Sequence, residues 1–422
     1  MSNATFHPFA PQGTVAAPPS KSDVHRAIIC AALSGGVSTV SPVALSEDIT
    51  ATIRCVEALG AVTAMEDGRL TVDGSGMFLQ KTAVLDCHES GSTLRFLIPV
   101  AAAGGVDATF TGTGRLPARP IGIYTDALPE KGVTCVTEGG LPLRVSGRLQ
   151  SGVYAVPGNV SSQFITGLLF ALPLLDGDSD IILTSPIQSA GYINMTIRTM
   201  SKFGIEIDMT DRGWHIRGKQ HYIPTDYTTD GDWSQAAFFL TAAAVGGEVT
   251  VNGCNIDSSQ GDRRIAALLR EFGAEVQQDG GIVTVRKAPL SGIEIDASQI
   301  PDLVPVLAVC ACFAKGVTTI GNAARLRIKE SDRLQTTAAL VNALGGRAEE
   351  LPDGLKITGA GKLRGAAVQG CNDHRIVMAA AVCAAGCEGE IVCSDAWSVN
   401  KSYPAFYEDY AKIGGAAETE AP

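Results

Sequence analysis

The feature of this 422-residue chain that most restricts its fold is an internal repeat. A helical stretch ending in glycine recurs at intervals of about 70 residues. In the first five copies, two runs of alternating apolar and polar residues follow. Glycine here predicts a left-handed helix end, and the alternating runs predict a hairpin of half-buried strands. The sixth glycine lacks this hairpin, so we expect residues 5–10 to supply a missing strand. The six glycines are Gly60, Gly132, Gly204, Gly273, Gly345 and Gly414.

Each repeat also contains a second helical stretch that is apolar on almost every side. A helix without a polar face belongs inside a domain. Six units therefore predict an α/β protein with two domains of three repeats, each domain built around three buried helices. The predicted boundaries are 20–229 for one domain and 230–422 for the main part of the other, which 1–19 joins as a discontinuous piece. The six apolar stretches are 20–36, 90–105, 161–177, 232–247, 300–316 and 372–389.

Composition and motif searches exclude several classes of protein. A net charge of -11 argues against a nucleic-acid partner. Apolar runs such as Leu303–Ala314 are shorter than the ~20 residues of a membrane span, and no signal peptide is evident. The eleven cysteines include no C-x-x-C pair, which favours buried thiols in a reducing cytoplasm over disulfides or zinc. No nucleotide-binding glycine loop is present, so we expect neither a cofactor nor a metal.

Cations stand near the starts of the apolar helices, where the helix dipole disfavours positive charge. Lys21, Arg26, Arg95 and Arg375 therefore predict bound anions, held together with serine hydroxyls and free backbone amides. The simpler interpretation of the polar residues is helix capping, which suits Ser20, Asp232 and Asn372. Capping does not explain the cations.

Further charged residues stand where the outer helices are predicted to begin: Arg115 and Arg119, the run from Arg327 to Arg333, and Lys401. For Lys329–Arg333 the alternative is a solvated ladder of ion pairs on a helix surface. Asp302 heads an apolar helix and is expected to cap it; neighbouring cations would also keep the carboxylate ionised, so that it could accept a proton. Glu330, within a cationic run, is a candidate acid.

Eight motifs, in order along the chain, resemble the 5-enolpyruvylshikimate-3-phosphate synthase family of enolpyruvyl transferases. That family's fold is a two-domain inside-out α/β barrel with three βαβαββ units per domain, in agreement with the repeats. The motifs are Lys21-Ser22-x-x-x-Arg26, Ser90-Gly91-Ser92-Thr93-x-Arg95, Arg119-Pro120, Ser161-Ser162-Gln163, Ile300-Pro301-Asp302, Arg327-x-Lys329-Glu330-Ser331-Asp332-Arg333-Leu334, Asp373-His374-Arg375 and Lys401-x-x-Pro404.

The resemblance implies transfer of the enolpyruvyl group of phosphoenolpyruvate to the 5-hydroxyl of shikimate 3-phosphate. The reaction belongs to the shikimate pathway of aromatic amino acid biosynthesis, and the enzyme is expected to be a cytoplasmic monomer. Asp302, Glu330 and Lys21 would be catalytic. The implied shikimate 3-phosphate residues are Lys21, Ser22, Arg26, Ser161, Ser162, Gln163, Ser189, Asp302 and Lys329. Those for phosphoenolpyruvate are Lys21, Gly91, Arg119, Gln163, Arg333, Arg375 and Lys401.

Two alternatives remain open from the sequence. The first is the related transferase that acts on UDP-N-acetylglucosamine, although the loop before Arg119 lacks the cysteine typical of that enzyme. The second is a non-catalytic anion-binding repeat protein. The chain also departs from its family at Arg325, where many members have asparagine, and at Glu89-Ser90 before Gly91. The retained Gly91 favours sensitivity to glyphosate, the family's inhibitor.

Overall fold

The structure, a computed structural model, describes residues 2–421. The chain divides into two compact units, and each contains three of the repeats. Unit 1 consists of Pro18 and the described residues before it, together with those from Asp230 onward. Unit 2 runs from Pro19 to Thr229, one residue before the start expected from the sequence.

The first strands belong to unit 1 and are β1 (Ala4–Phe6) and β2 (Gln12–Ala16). The strands of unit 2 are β3 (Val37–Ser41), β4 (Val62–Glu66), β5 (Arg69–Asp73), β6 (Thr82–Asp86), β7 (Asp107–Thr111), β8 (Val133–Val136), β9 (Leu143–Gly147), β10 (Val153–Val156), β11 (Ser179–Leu183), β12 (Asp208–Thr210), β13 (Gly213–Ile216) and β14 (Asp226–Thr228). Its helices are α1 (Lys21–Leu33), α2 (Glu47–Ala58), α3 (Gly91–Ala103), α4 (Gly122–Ala127), α5 (Ser162–Ala171) and α6 (Ala190–Lys202).

The rest of unit 1 repeats this plan. Its strands are β15 (Glu248–Asn252), β16 (Glu275–Asp279), β17 (Ile282–Arg286), β18 (Glu294–Asp296), β19 (Val317–Gly321), β20 (Arg347–Leu351), β21 (Gly354–Thr358), β22 (Leu363–Arg364), β23 (Ala367–Val368), β24 (Cys387–Glu388), β25 (Ile391–Cys393) and β26 (Ala417–Thr419). Its helices are α7 (Trp233–Gly246), α8 (Ile265–Phe272), α9 (Val304–Phe313), α10 (Arg333–Ala343), α11 (His374–Cys383) and α12 (Phe406–Lys412). Short 3-10 turns occur at Leu116–Ala118, Pro129–Lys131, Leu172–Leu174, Gly261–Arg264, Pro301–Leu303, Ala324–Ile328, Ala384–Gly386 and Ala396–Lys401.

Each repeat contributes to a four-stranded sheet. In the second sheet of unit 2, β6 pairs parallel with β7, which pairs antiparallel with β9 of the β8–β9 hairpin. Hairpins form at all five positions predicted from the sequence. In each of these five sheets, the first strand of the hairpin lies at the edge and the second lies next to it inside the sheet. All six repeat glycines have φ between 80° and 115°, so the predicted left-handed helix ends are confirmed.

The six apolar helices α1, α3, α5, α7, α9 and α11 form the predicted cores, three in each unit. Every residue of α11 is buried, as is every residue of α7 up to Val245. Nine of the eleven cysteines are buried within the two units. In the part of the chain that the structure describes, no helix combines the length and apolar character needed to cross a membrane.

The predicted role of the N-terminal segment is confirmed, with one difference. β1 lies between β25 and β26 and pairs antiparallel with both, so it supplies a central strand of the sixth sheet. The chain after Gly414 is not entirely without a strand, because β26 follows it. In the sixth sheet, β26 and β1 take the positions that the two hairpin strands occupy in the other sheets, although they come from opposite ends of the chain.

The expectation that the basic motifs open the outer helices is correct for Arg333, the first residue of α10, but wrong for Arg119, Lys329 and Lys401. Arg119 lies after a 3-10 turn and before α4, Lys329 follows another turn before α10, and Lys401 ends a third before α12. These residues therefore lie in the segments between a strand and the outer helix.

We expect replacement of Thr5 by proline to destabilise unit 1, since Thr5 pairs with Val392 on β25 and with Glu418 on β26. Thr5→Pro removes a backbone donor, and an unsatisfied acceptor within a sheet costs about 1–3 kcal/mol. Thr5→Val keeps the donor and should cost less than about 1 kcal/mol. Urea unfolding midpoints measure both, and equal midpoints for the two variants would contradict the central position of β1.

Candidate active site

Arg333, the first residue of α10, is the centre of a buried charge cluster in unit 1. Its side chain is 2% exposed. It donates hydrogen bonds to Asp302 Oδ1 at 2.9 Å, Glu330 Oε2 at 2.6 Å and Asp373 Oδ2 at 2.8 Å. Burial opposes the positive charge, but the charges of Asp373, Glu330 and Asp302 outweigh it and raise the pKa of Arg333. A cation this deep in the core requires such partners.

Asp302 lies in the 3-10 turn before α9 and is surrounded by cations. Lys329 Nζ lies 3.5 Å from Oδ1 and Arg375 Nη2 3.6 Å from Oδ2, in addition to the bond from Arg333. Burial alone would raise the pKa of Asp302, but the charges of Arg375, Lys329 and Arg333 hold it well below its usual range. The carboxylate is therefore ionised. The N-cap interpretation of Asp302 is wrong, because Leu303 occupies that position of α9.

Two lysines complete the expected cations of unit 1: Lys329 beside Asp302, and Lys401 beside Asn372, the residue before Asp373. Burial, with the charges of Arg333 and Arg325, lowers the pKa of Lys329 to about 8 against the opposing charges of Asp302 and Glu330. Lys401 Nζ donates to the carbonyl of Asn372 at 2.7 Å. The solvated-ladder interpretation of Lys329–Arg333 is wrong, because Lys329 precedes α10 and Arg333 points into buried carboxylates.

In unit 2, Lys21 begins α1 and its Nζ lies 2.6 Å from Asp48 Oδ2 on α2. The predicted capping by Ser20 is wrong, because its side chain makes no cap hydrogen bond. The N-terminal amides of α1 are therefore not satisfied by the Ser20 side chain.

Arg26, one turn further along α1, is 2% exposed. It donates to Thr196 Oγ1 at 2.8 Å, to the Ser22 carbonyl at 2.6 Å and to the Tyr192 carbonyl at 3.1 Å. Its guanidinium also lies 5.1 Å from the ring centre of Phe96. Arg26 thus links the start of α1 to α6; its expected contact with substrate stays a prediction.

Gly91, the first residue of α3, lies against Arg119. A Cβ at Gly91 would come within 2.7 Å of Arg119 Nη1, so any larger residue displaces the guanidinium. Beside them, Arg95 Nη1 donates to Gln163 Oε1 at 2.7 Å, and Gln163 Nε2 donates to Ser92 Oγ at 2.9 Å. The starts of α3 and α5 are therefore joined through side chains that also suit anion binding.

The serines expected in the site lie at three helix starts of unit 2, with Ser22 as the second residue of α1. Ser161 caps α5 by accepting from Gln163 N at 3.3 Å, and Ser162 is the helix's first residue. Ser189 precedes α6 and is buried, with φ of 56°. A serine in this left-handed region is uncommon and occurs at functional positions more often than elsewhere.

The carboxylates that hold these cations are not indicated by the sequence pattern around them. Asp48 and Asp373 pair with Lys21 and Arg333 across long sequence separations, which no local spacing indicates. Asp262 is almost fully buried and accepts a hydrogen bond from Ser234, and its pKa is raised to about 7 by burial and by the charge of Asp302. Asp373, not Asn372, caps α11, accepting from Arg375 N at 3.0 Å.

Unit 1 thus brings together six of the expected residues: Asp302, Lys329, Glu330, Arg333, Arg375 and Lys401. Unit 2 contains the remaining nine: Lys21, Ser22, Arg26, Gly91, Arg119, Ser161, Ser162, Gln163 and Ser189. Within residues 2–421, no group of three or more His, Cys, Asp or Glu side chains is arranged to hold a metal ion.

Comparison with known proteins identifies the family and the fold. The family model for EPSP synthase (3-phosphoshikimate 1-carboxyvinyltransferase) matches residues 8–410. Relatives named 3-phosphoshikimate 1-carboxyvinyltransferase are 44% identical in Clostridium kluyveri, over 98% of each chain, and 42% identical in Clostridium perfringens, over 100% of each. An EPSP synthase structure from Acinetobacter baumannii matches with a TM-score of 0.83 at 25% identity over 100% of both chains. An enolpyruvyl transferase structure from Streptomyces tendae matches in fold, with a TM-score of 0.80 at 18% identity over 100% of this chain and 99% of that one. The predicted fold class is confirmed.

We expect Asp373→Ala to lower the free energy of unfolding by about 3–5 kcal/mol, because it removes the most deeply buried partner of Arg333, leaves the Nε–H donor of that guanidinium without an acceptor, and removes the cap of α11. Glu350→Gln is the matched control, since Glu350 pairs with Arg327 at 2.6 Å near the surface. Such a pair contributes about 1 kcal/mol or less. Urea denaturation measures both variants, and similar losses would argue against a buried cluster around Arg333.

Proposed function

The chain belongs to the EPSP synthase family, and on that premise we propose which of its residues carry out the family's reaction. The enzyme transfers the enolpyruvyl group of phosphoenolpyruvate to the 5-hydroxyl of shikimate 3-phosphate and releases phosphate. The names of its curated relatives favour this activity over the UDP-N-acetylglucosamine transferase and the non-catalytic alternatives. The finer assignments below rest on the motifs and on the contacts within each unit.

The observation that carries the proposal is the ionised Asp302 carboxylate among three cations. A carboxylate with a strongly lowered pKa is a weak base in the empty enzyme. Anionic substrates add negative charge beside Lys329, Arg333 and Arg375 and thereby offset the field that these cations exert on Asp302. Its pKa rises as a result, and the carboxylate then takes the proton of the attacking hydroxyl.

Addition of the hydroxyl oxygen to C2 of phosphoenolpyruvate requires a proton at its methylene carbon. Glu330 and Lys21 are the proposed donors. A tetrahedral intermediate results, and loss of a methyl proton and of phosphate then restores the double bond. Positioning and charge stabilisation supply most of the acceleration.

The remaining cations and hydroxyls bind the two anions. Lys21, Ser22, Arg26, Ser161, Ser162, Gln163, Ser189, Asp302 and Lys329 are assigned to shikimate 3-phosphate. Lys21, Gly91, Arg119, Gln163, Arg333, Arg375 and Lys401 are assigned to phosphoenolpyruvate. The proposal places the enzyme in the cytoplasm as a monomer, and the nine buried cysteines fit a reducing compartment.

A phosphate-release assay with phosphoenolpyruvate and either shikimate 3-phosphate or UDP-N-acetylglucosamine tests the proposed function. We expect release with the former acceptor alone. Asp302→Asn should lower kcat at least ~100-fold, as expected for loss of a proton-transfer group. Asp279→Asn, an exposed change on β16, is the control and should retain wild-type turnover. If the wild-type enzyme releases no phosphate with either acceptor, the proposed function is refuted. Full turnover in Asp302→Asn would refute the role of that residue.

The pKa of Lys329 predicts how shikimate 3-phosphate binding depends on pH. With a pKa of about 8, the ammonium is mostly charged at pH 7 and mostly neutral at pH 9. The substrate phosphate, with a second pKa near 6, is already fully ionised over this range. The KM for shikimate 3-phosphate should therefore rise about tenfold from pH 7 to pH 9.

In the matching experiment, Lys329→Met should have a raised KM at pH 7 that changes little between pH 7 and pH 9. Steady-state assays over this range distinguish the two profiles. An identical pH dependence in wild type and Lys329→Met would show that another group is responsible.

A further inference from the structure

A chain of buried hydrogen bonds joins three helices of unit 2 behind the residues assigned to substrate. His25 Nδ1 on α1 lies 2.7 Å from Thr52 Oγ1 on α2. Thr52 Oγ1 lies 2.7 Å from Thr93 Oγ1 on α3, which donates to Ser90 Oγ at 2.7 Å. All four side chains are fully buried. None of them is among the residues assigned above to substrate binding or catalysis.

The geometry determines the direction of this chain. Thr93 gives its single hydroxyl hydrogen to Ser90, so the Thr52–Thr93 contact is a hydrogen bond only if Thr52 donates. Thr52 Oγ1 also lies 3.4 Å from the Asp48 carbonyl, a second acceptor for the same hydrogen. A hydrogen given to either Thr93 or Asp48 is not available to His25, so the bond between Thr52 and His25 requires a proton on His25 Nδ1. The other ring nitrogen, Nε2, is buried and has no hydrogen-bond partner in the described structure.

The surroundings of His25 agree with a neutral ring. Burial, together with the charges of Lys21 and Arg26, lowers the pKa of His25 well below its ordinary value. The imidazole therefore carries one proton, and the chain places it on Nδ1. A second proton on Nε2 would be buried without an acceptor.

Both ends of the chain lie beside residues assigned to phosphoenolpyruvate. His25 is one turn along α1 from Lys21, and Lys21 itself contacts Asp48, one turn before Thr52 on α2. Two side-chain contacts, Lys21–Asp48 and His25–Thr52, thus connect α1 to α2. At the other end, Ser90 caps α3 by also accepting from Thr93 N at 3.2 Å, and the next residue is Gly91, which lies against Arg119.

We propose that the chain His25–Thr52–Thr93–Ser90 is a positioning device for phosphoenolpyruvate, holding the start of α3 and its Gly91–Arg119 contact in register with Lys21. The inference rests on the proposed function. Lys21 is assigned to both substrates, but its ammonium is held separately by Asp48. Loss of the chain therefore displaces chiefly the groups at its α3 end, Gly91 and Arg119, which are assigned to phosphoenolpyruvate alone. The serines at the start of α5 and at Ser189 are assigned to shikimate 3-phosphate and are not members of the chain.

The central test is Thr52→Val, which preserves shape but removes the middle link. We expect the KM for phosphoenolpyruvate to rise about 5- to 20-fold, while the KM for shikimate 3-phosphate changes less than about twofold. Thr52→Ser restores the hydroxyl and should return the phosphoenolpyruvate KM to within about twofold of wild type. Thr241→Val is the matched control, because that buried hydroxyl in unit 1 has no hydrogen-bond partner in the described structure.

Thr93→Val tests the same link from the other side and serves if Thr52→Val does not fold. A second readout is nitrogen NMR of the wild-type His25 ring, which should show the Nδ1–H tautomer and no protonation between pH 6 and pH 8. An unchanged phosphoenolpyruvate KM in a folded link variant, an equal rise in both KM values, or an Nε2–H tautomer would overturn the proposal. Absence of phosphate release in the wild type would instead refute the proposed function.

Discussion

The constraint on which the rest of this structure depends is that six helices are apolar on almost every side. Such a helix must be covered along its whole length, and the sheets and outer helices of each unit provide that cover. Only the helix ends remain for polar chemistry. The first amides of a helix have no partner within the helix and attract negative charge. The apolar character of the cores therefore determines that anion-binding groups gather at the helix starts.

The buried charges around Arg333 are the one large exception to this apolar interior in unit 1. Three carboxylates and an arginine in a protein core are a weak source of stability, since desolvation offsets most of their attraction. The proposed reaction accounts for the cluster better than its contribution to stability does. Arg333 binds Asp302 and Glu330 at once, and the same carboxylate of Asp302 faces Lys329 and Arg375. Under the proposed mechanism, anions that enter this field raise the proton affinity of Asp302 and so couple substrate binding to catalysis.

Local sequence was sufficient for the elements and insufficient for their polar contacts. Gly60 and Gly273 end their helices in the expected conformation because a left-handed residue is a local backbone requirement. Capping was less predictable. Ser20 has the right residue type and position but makes no cap bond, and Asp302 is recruited by cations instead. A short polar side chain near a helix start has several partners available, and packing selects among them.

The sequence by itself determined the repeat, the two cores, the helix starts that carry cations and, through eight motifs, the family. Only the tertiary structure decided which charges meet. Asp373 lies 40 positions from Arg333 and Thr52 lies 41 positions from Thr93, yet both pairs are in hydrogen-bond contact. Electrostatic and hydrogen-bond energies depend on distance and burial, not on position along the chain. The ionisation of Asp302, the lowered pKa of Lys329 and the proposed tautomer of His25 therefore follow from tertiary packing, which buries these groups and brings their partners to them.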